Sequence, residues 1–383
     1  MKRICMLLVC CLLLTALPVK VRAAAPEVPG KSAVLMDIAT GTVLAEQNAH
    51  EKLAPASVTK VMTMLLIMEA IDSGKIGWED TVTVSEAAAA KGGSQIYLKV
   101  GETMSVTDMV KSIAVSSAND CACAMAEFLA GSEPAFVEQM NTRAAELGMA
   151  DTHFVNCTGL DDGENAREHL TSAYDIALMS RELMRNHPDI IKFTTIWMDT
   201  VRNGTFGLAN TNKLVRFYPG ATGLKTGFTA NAGYCLSATA ERDGLGLIAV
   251  VMGAKTSQER FSACKQLLDF GFANFALATP EIPESSTVPV KLGTSGTVAA
   301  VPAEGVQLLV DKAQRGDVIT EVTLEESVTA PVSQGQRLGT LTVRCGDQIL
   351  SQVSMVAKTA VEKLDWGDLF LRVLRKLCMA GEG

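Results

Sequence analysis

Ser57 and Lys60 stand three residues apart at the head of an apolar run, Val61-Met62-Thr63-Met64-Leu65-Leu66-Ile67-Met68. The run has no polar stripe, which predicts a helix buried on nearly all sides. In its first turn the two side chains would share a face. A serine hydroxyl beside an amine, at the positive end of a buried helix, is a nucleophile with its base at hand. The quartet also has a plain reading, in which Ser57 caps the helix and Lys60 snorkels to solvent. A Ser-x-x-Lys match alone does not decide between them.

Two further motifs follow in order, Ser117-Ala118-Asn119 and Lys225-Thr226-Gly227. Ser57 would attack a carbonyl while a neutral Lys60 takes its proton. Ser117 could relay a proton to a leaving amine, and Asn119 could hydrogen-bond a substrate amide and Lys60. Lys225 offers positive charge, Thr226 a hydroxyl, and Gly227 room for a substrate backbone along a strand. The Ser57 N–H and one near Phe228 or Thr229 would complete an oxyanion hole. Each motif is weak alone. In this order they form the set shared by class A β-lactamases and penicillin-binding proteins.

The elements that must position these residues are legible in outline. Residues 33–36 and 42–45 read as a hairpin turning at Ala39-Thr40-Gly41. Helical patterns cover Ser57 to about Ile71, Val106 to Ala130 with a break near Ser116–Asn119, Pro134 to Leu147, and Ala173 to Arg185 behind a Thr171 or Ser172 cap. The Lys225 motif precedes an apolar strand, Tyr234 to Ala240, which is joined by Arg242-Asp243-Gly244 to a second at Leu247 to Met252. A helix from Ser257 to about Phe275 follows. Strands at both ends of this region with helices between them predict one mixed, antiparallel-type sheet covered by helices, an α+β fold. After a proline-rich linker at 279–284, short β-branched strands from Val288 to Val356 predict a small all-β sandwich.

The chain has 383 residues, 48% of them hydrophobic and 20% charged, with a formal charge of −8. This is a globular composition with no long basic run outside its ends, so nucleic acid is not an expected partner. Met1-Lys2-Arg3, an apolar core from Met6 to Leu17 and small residues at Ala23-Ala24-Ala25 predict a secretory signal cleaved after Ala23. Of ten cysteines, Cys121, Cys123, Cys157, Cys235, Cys264, Cys345 and Cys378 would remain, scattered through apolar stretches and expected as mostly buried thiols. Cys121 and Cys123 lack the companions of a zinc site, and no metal or cofactor is expected. From Glu362 to Met379 a broad face of Leu, Trp, Phe and Val opposes a narrower charged one. That pattern suits a membrane-surface helix, or else a helix docked on the β domain. The expected layout is a signal over 1–23, a catalytic domain over 24–279, a β-rich domain over 280–357 and an amphipathic anchor over 358–383.

In these residues the chain resembles the D-alanyl-D-alanine carboxypeptidase family, the low-molecular-mass penicillin-binding proteins of bacteria. The resemblance covers essentially the whole mature chain. Besides the three motifs it includes Gly159-Leu160-Asp161, Tyr218-Pro219-Gly220 leading to Gly223-Leu224-Lys225, and Gly253-Ala254-Lys255 before Arg260-Phe261. It implies a penicillin-binding/serine β-lactamase-like fold and removal of the terminal D-alanine from peptidoglycan pentapeptide stems through an acyl-Ser57 intermediate. It also implies acylation by β-lactams, action at the outer face of the cytoplasmic membrane, and Arg260 helping to hold the substrate's terminal carboxylate. Thr222 and Thr158 replace an Asp and a His frequent in the family, and Asp175 matches a family aspartate whose place inside a helix also allows a structural role. Two rivals share the motifs: a β-lactamase using Glu164 to activate water, and a non-catalytic wall-binding protein.

Overall fold

The computed structural model describes residues 24–161, 163, 165–278, 286–368 and 370. The expected export signal, Glu164, the linker, Cys378 and the terminal helix beyond Asp368, apart from Phe370, lie outside them. At the centre is a five-stranded sheet of β1 (Ser32–Asp37), β2 (Val43–Gln47), β3 (Ala221–Thr229), β4 (Gly233–Arg242) and β5 (Leu245–Ala254), in the order β2-β1-β5-β4-β3. Each pairing is antiparallel, so the sheet is not mixed. The initial hairpin is stitched to the late strands by the register of Val34 with Val250.

Because strand side chains alternate, the sheet feeds two cores. Val34, Met36, Ile248, Val250 and Met252 face one layer of helices, while Ala33, Leu35, Leu247, Ala249 and Val251 face the other. This explains why β5 reads as a continuous apolar run, buried from Leu245 to Met252. On the first face lie α1 (Lys60–Asp72), α2 (Val106–Ser116), α3 (Asn119–Ala130), α4 (Glu133–Glu146) and α5 (Ala173–Asn186). As its uniform apolarity predicts, α1 is buried along most of its length. Ser172 caps α5 by accepting from the Asp175 N–H. The second face is covered by α6 (Ser257–Asn274), which opens on a Thr256/Glu259 capping box.

Six strands of the C-terminal domain hydrogen-bond into one ladder rather than two separate sheets, around Val288, Val298, Leu338, Leu341, Val343 and Met355. A bridge between Phe275–Ala278 and Leu308–Asp311 leads from α6 into this domain. The expected helix from Glu362 begins later. Val361 and Lys363 bridge to Val332 and Gly293, and the Leu364 N–H donates to the Leu292 carbonyl, so the chain is still pairing with the domain there. Only at Asp365, whose carboxylate accepts the Asp368 N–H, does helical structure begin, with Trp366 and Phe370 exposed. Cys121, Cys123, Cys157, Cys235 and Cys264 are buried free thiols and Cys345 is partly exposed.

Candidate active site

Ser57 does not cap a helix. It lies in a single 3-10 turn, Ala56–Thr59, that runs directly into α1. Nor does Lys60 snorkel. It is fully buried, and its Nζ donates to Ser57 Oγ at 2.9 Å and to the Thr158 carbonyl at 2.8 Å. Burial lowers its pKa from 10.5 to about 7, because no carboxylate bonds the amine to repay its desolvation. The weaker pulls of Cys157 and Asp120 oppose that shift. An amine half-neutral near pH 7 and bonded to a hydroxyl is a competent general base.

The turn bearing Ser57 is held open by its neighbours. Ala56 has φ of +49°, a left-handed conformation that costs a non-glycine residue about 1 kcal/mol. Its carbonyl accepts from Thr59 Oγ1 at 2.9 Å. Gly159 presses against it from the loop: a β-carbon there would sit 1.8 Å from the Ala56 oxygen. Thr63 Oγ1 pins the same loop by donating to the Cys157 carbonyl at 2.7 Å. Sequence reasoning overlooked these contributions of loop 156–159, which reach the site through backbone oxygens that carry no residue signature. Thr158 itself serves Lys60 by its carbonyl; its hydroxyl bonds Asn156 Oδ1.

The second motif fills the break between α2 and α3. Ser117 is left-handed, with φ of +62°, and terminates α2, while Asn119 begins α3. Asn119 Nδ2 donates to the Gly92 carbonyl at 2.7 Å, and Gly93 lies so close that a β-carbon would meet that nitrogen at 2.7 Å. The expected Asn119–Lys60 hydrogen bond is not formed. Ser117 Oγ and Asn119 Oδ1 are buried with no partner among the described residues. Buried Asp120 carries the adjoining loop by accepting from the Ile96 and Leu98 N–H groups.

The Lys225 motif lies within a strand of its own, β3, at the edge of the sheet, ahead of the apolar strand β4 with which it pairs. Lys225 is buried, and its Nζ donates to the Thr226 carbonyl at 2.9 Å. Burial pushes its pKa well below the usual lysine value, with Lys60 and Arg260 adding repulsion. Thr226 Oγ1 donates to Thr211 Oγ1 at 2.7 Å, and the Thr211 N–H donates to the Val115 carbonyl, which ties β3 to the end of α2. Gly227 is required by the chain's own packing: a β-carbon would approach the Pro55 carbonyl to 2.7 Å and the Ser57 nitrogen to 3.0 Å. Arg260, on α6, donates to the Gly227 carbonyl at 2.8 Å from behind the strand. The three motifs therefore converge where the turn of Ser57, the α2–α3 break and β3 meet.

Of the residues flanking the site, Asp175 takes the structural reading, its carboxylate accepting from the Asp151 N–H and Thr152 Oγ1. Thr222 bonds Thr239 across the β3–β4 pair. Glu69, Glu182 and His187 come within 4.8 Å of one another, but Arg143 binds both carboxylates and Asp72 bonds the imidazole. Beside the motifs a cavity of about 500 Å³ is lined by Lys91, Gly92, Asn156, Thr158 and Leu160.

A hydroxyl bonded to a buried amine, on a sheet-and-helix scaffold whose edge strand faces the nucleophile, defines the serine acyl-transfer class. Within it, residues 19–256 match the family model for D-alanyl-D-alanine carboxypeptidase, and residues 281–363 match that for the penicillin-binding protein 5 C-terminal domain. The chain is 44% identical over 340 residues to the D-alanyl-D-alanine carboxypeptidase DacF of Bacillus subtilis, covering 87% of this chain and 86% of that one. It is 35% identical over 362 residues to DacC of Escherichia coli, covering 91% and 88%. Penicillin-binding protein 5 from Haemophilus influenzae superposes with a TM-score of 0.75 at 29% identity, over 89% of this chain and all of that one. The ampicillin-bound penicillin-binding protein D2 from Listeria monocytogenes superposes at 0.59 and 32%, over 64% of this chain and all of that one. The chain belongs to the D-alanyl-D-alanine carboxypeptidase family, serine peptidases of peptidoglycan maturation.

Proposed function

We propose that Ser57 is the acylated nucleophile of this carboxypeptidase and Lys60 its general base. The observation that carries the assignment is the 2.9 Å hydrogen bond from a fully buried, pKa-depressed Lys60 to Ser57 Oγ. As Ser57 Oγ bonds to the carbonyl carbon of the penultimate D-alanine, its proton passes to Lys60. The tetrahedral adduct collapses by breaking the peptide bond, and the departing D-alanine amine takes a proton from Lys60 through Ser117. Water then attacks the acyl-Ser57 ester, giving the shortened stem and free Ser57. Asn119 would orient the stem amide. Arg260, with Lys225 once a substrate carboxylate favours its charged form, would make the terminal carboxylate's end of the site positive, Thr226 would offer a hydroxyl, and the Gly227 strand would hold the peptide in extended form.

The same attack opens a β-lactam ring to a slowly hydrolysed ester, as the ampicillin-bound relative supports. We place the mature enzyme outside the cell: residues 1–23 as an export signal, 24–279 as the catalytic domain, 280–357 as a β-rich spacer, and the segment after Leu364 as an anchor on the outer face of the cytoplasmic membrane. Among the described residues no helix is long and apolar enough to cross a membrane, and the exposed Trp366 and Phe370 favour surface attachment. Incubation with a peptide ending in D-Ala-D-Ala, followed by mass spectrometry of product and protein, tests the reading. Loss of one alanine and a penicillin adduct on Ser57 are expected. An adduct elsewhere, or rapid penicillin turnover, would overturn it.

A further inference from the structure

His169 is a buried imidazole, 3% exposed, that the acylation steps above leave without a role. It is placed by the loop that follows the Gly159 turn, and its two ring nitrogens have different partners. Nδ1 faces the Val155 N–H at 3.0 Å, and Nε2 faces Thr59 Oγ1 at 2.7 Å. Val155 can only donate, so Nδ1 accepts and the ring proton sits on Nε2. The Thr59 hydroxyl has one proton, committed to the Ala56 carbonyl at 2.9 Å, so Thr59 accepts from Nε2. One direction of donation satisfies the whole chain: His169 Nε2–H to Thr59 Oγ1, and Thr59 O–H to the Ala56 carbonyl.

The end of that chain matters. The Ala56 carbonyl belongs to the left-handed residue immediately before Ser57, and Thr59 immediately precedes Lys60. The residue before the nucleophile and the residue before the base are thus joined by one hydroxyl whose orientation the imidazole dictates. We propose that His169, in its Nε2–H form, is a positioning residue for acylation: it fixes the Thr59 hydroxyl onto the Ala56 carbonyl and so sets the turn that presents Ser57 Oγ to Lys60. The inference rests on Ser57 and Lys60 acting as assigned above.

Around the ring the charged and titratable neighbours are Lys60 and His153, and Phe154 packs beside it. None is an acid that would favour imidazolium. Burial together with these two neighbours depresses the pKa to about 4, so the neutral tautomer persists wherever Lys60 can act as a base. Protonation would put a second N–H against the Val155 N–H and break the chain at its far end.

The test compares Thr59→Val, which keeps shape but removes the hydroxyl, with Thr59→Ser, which restores it, and with His169→Phe and the Thr59→Val/His169→Phe double variant. The readouts are the second-order rate of acylation by a fluorescent penicillin, the lifetime of the adduct, and the melting temperature. Thr59→Val should slow acylation by about 10- to 100-fold while Thr59→Ser stays within about threefold. The double variant should be no slower than the worse single one, because both break the same chain. Adduct lifetime should change far less than acylation. A folded Thr59→Val or a folded His169→Phe that acylates at the unaltered rate would overturn the proposal, as would a rescue absent in Thr59→Ser. If His169→Phe does not fold, the Val and Ser pair still decides. A failure of the unaltered protein to form any adduct on Ser57 would instead strike the underlying assignment of the nucleophile.

Discussion

Lys60 Nζ donates to the backbone carbonyl of Thr158 at 2.8 Å, so the buried amine is held by a neutral acceptor on one side and by Ser57 on the other. A carboxylate in place of that carbonyl would keep the lysine charged. The carbonyl leaves its proton weakly held, which the reaction requires.

Acylation should therefore rise with pH through about 7, the value to which burial lowers Lys60. The second-order rate with a penicillin should be about tenfold lower at pH 6 than at pH 8, since only neutral Lys60 accepts the proton. A rate flat from pH 5 to 9 would remove Lys60 from the role of base.

Lys60→Met should abolish acylation yet stabilise the fold. The folded pKa, about 7, lies below the ordinary lysine value of 10.5 that holds in the unfolded chain, so between those values the unfolded state binds the extra proton and stability rises with pH. Below pH 7 the whole penalty applies. After the hydrogen bonds to Ser57 and Thr158 are discounted, the variant should gain roughly 2–3 kcal/mol at pH 6. Its advantage should shrink toward pH 10. Denaturant unfolding of both proteins across that range checks the sign.

Gly159→Ala should be among the most damaging small substitutions. The residue has φ of +81°, and the added carbon would meet the Ala56 oxygen at 1.8 Å. Either the loop carrying the Thr158 carbonyl retreats or the nucleophile's turn rearranges. A loss of about 3 kcal/mol or more, with acylation reduced at least tenfold, is expected. Thermal melting and penicillin labelling measure both.

Asp120→Asn should loosen the second motif and, by removing a charge that raises the Lys60 pKa, lower that pKa further. The carboxylate accepts from two loop N–H groups, at Ile96 and Leu98, and from its neighbour Cys121. An amide replaces one acceptor oxygen by a donor facing these N–H groups, costing about 1–3 kcal/mol. The loop that also supplies Gly92 to Asn119 should exchange its amide hydrogens faster.

Truncation after Leu364 should yield an active enzyme that no longer sediments with membranes. Cutting before Glu362, as the helical pattern alone would advise, removes residues whose backbones pair with Leu292, Gly293 and Thr294. That earlier cut should lower the melting temperature. Sedimentation with vesicles and melting of the two truncations separate anchoring from folding.

Much of the scaffold was legible. The break at Ser116–Asn119, the Ser172 cap and the strands flanking Arg242-Asp243-Gly244 all follow from local signals, and the structure has them near those positions. Strand β3 was not read, because Lys225, Thr226 and two glycines hide an edge strand whose neighbours are β4 and the Ser57 turn. The late start of the terminal helix was hidden for a related reason: Leu364 fits a helical stripe as well as it fits its pairing with Leu292.

The sequence by itself determined which chemistry is available: a serine, a lysine and two partner motifs, in the order of one enzyme family. It also determined that α1 would be buried, since periodicity and apolarity are properties of the chain. Tertiary structure decided what the chemistry can do. It removed Lys60 from water, gave it the Thr158 carbonyl instead of Asn119, and brought Gly227 against the Ser57 turn. It also turned His169 toward Thr59. Those contacts span up to about 170 residues of sequence and run largely through backbone atoms and desolvation. Neither leaves a mark on residue type, so only the folded chain could reveal them.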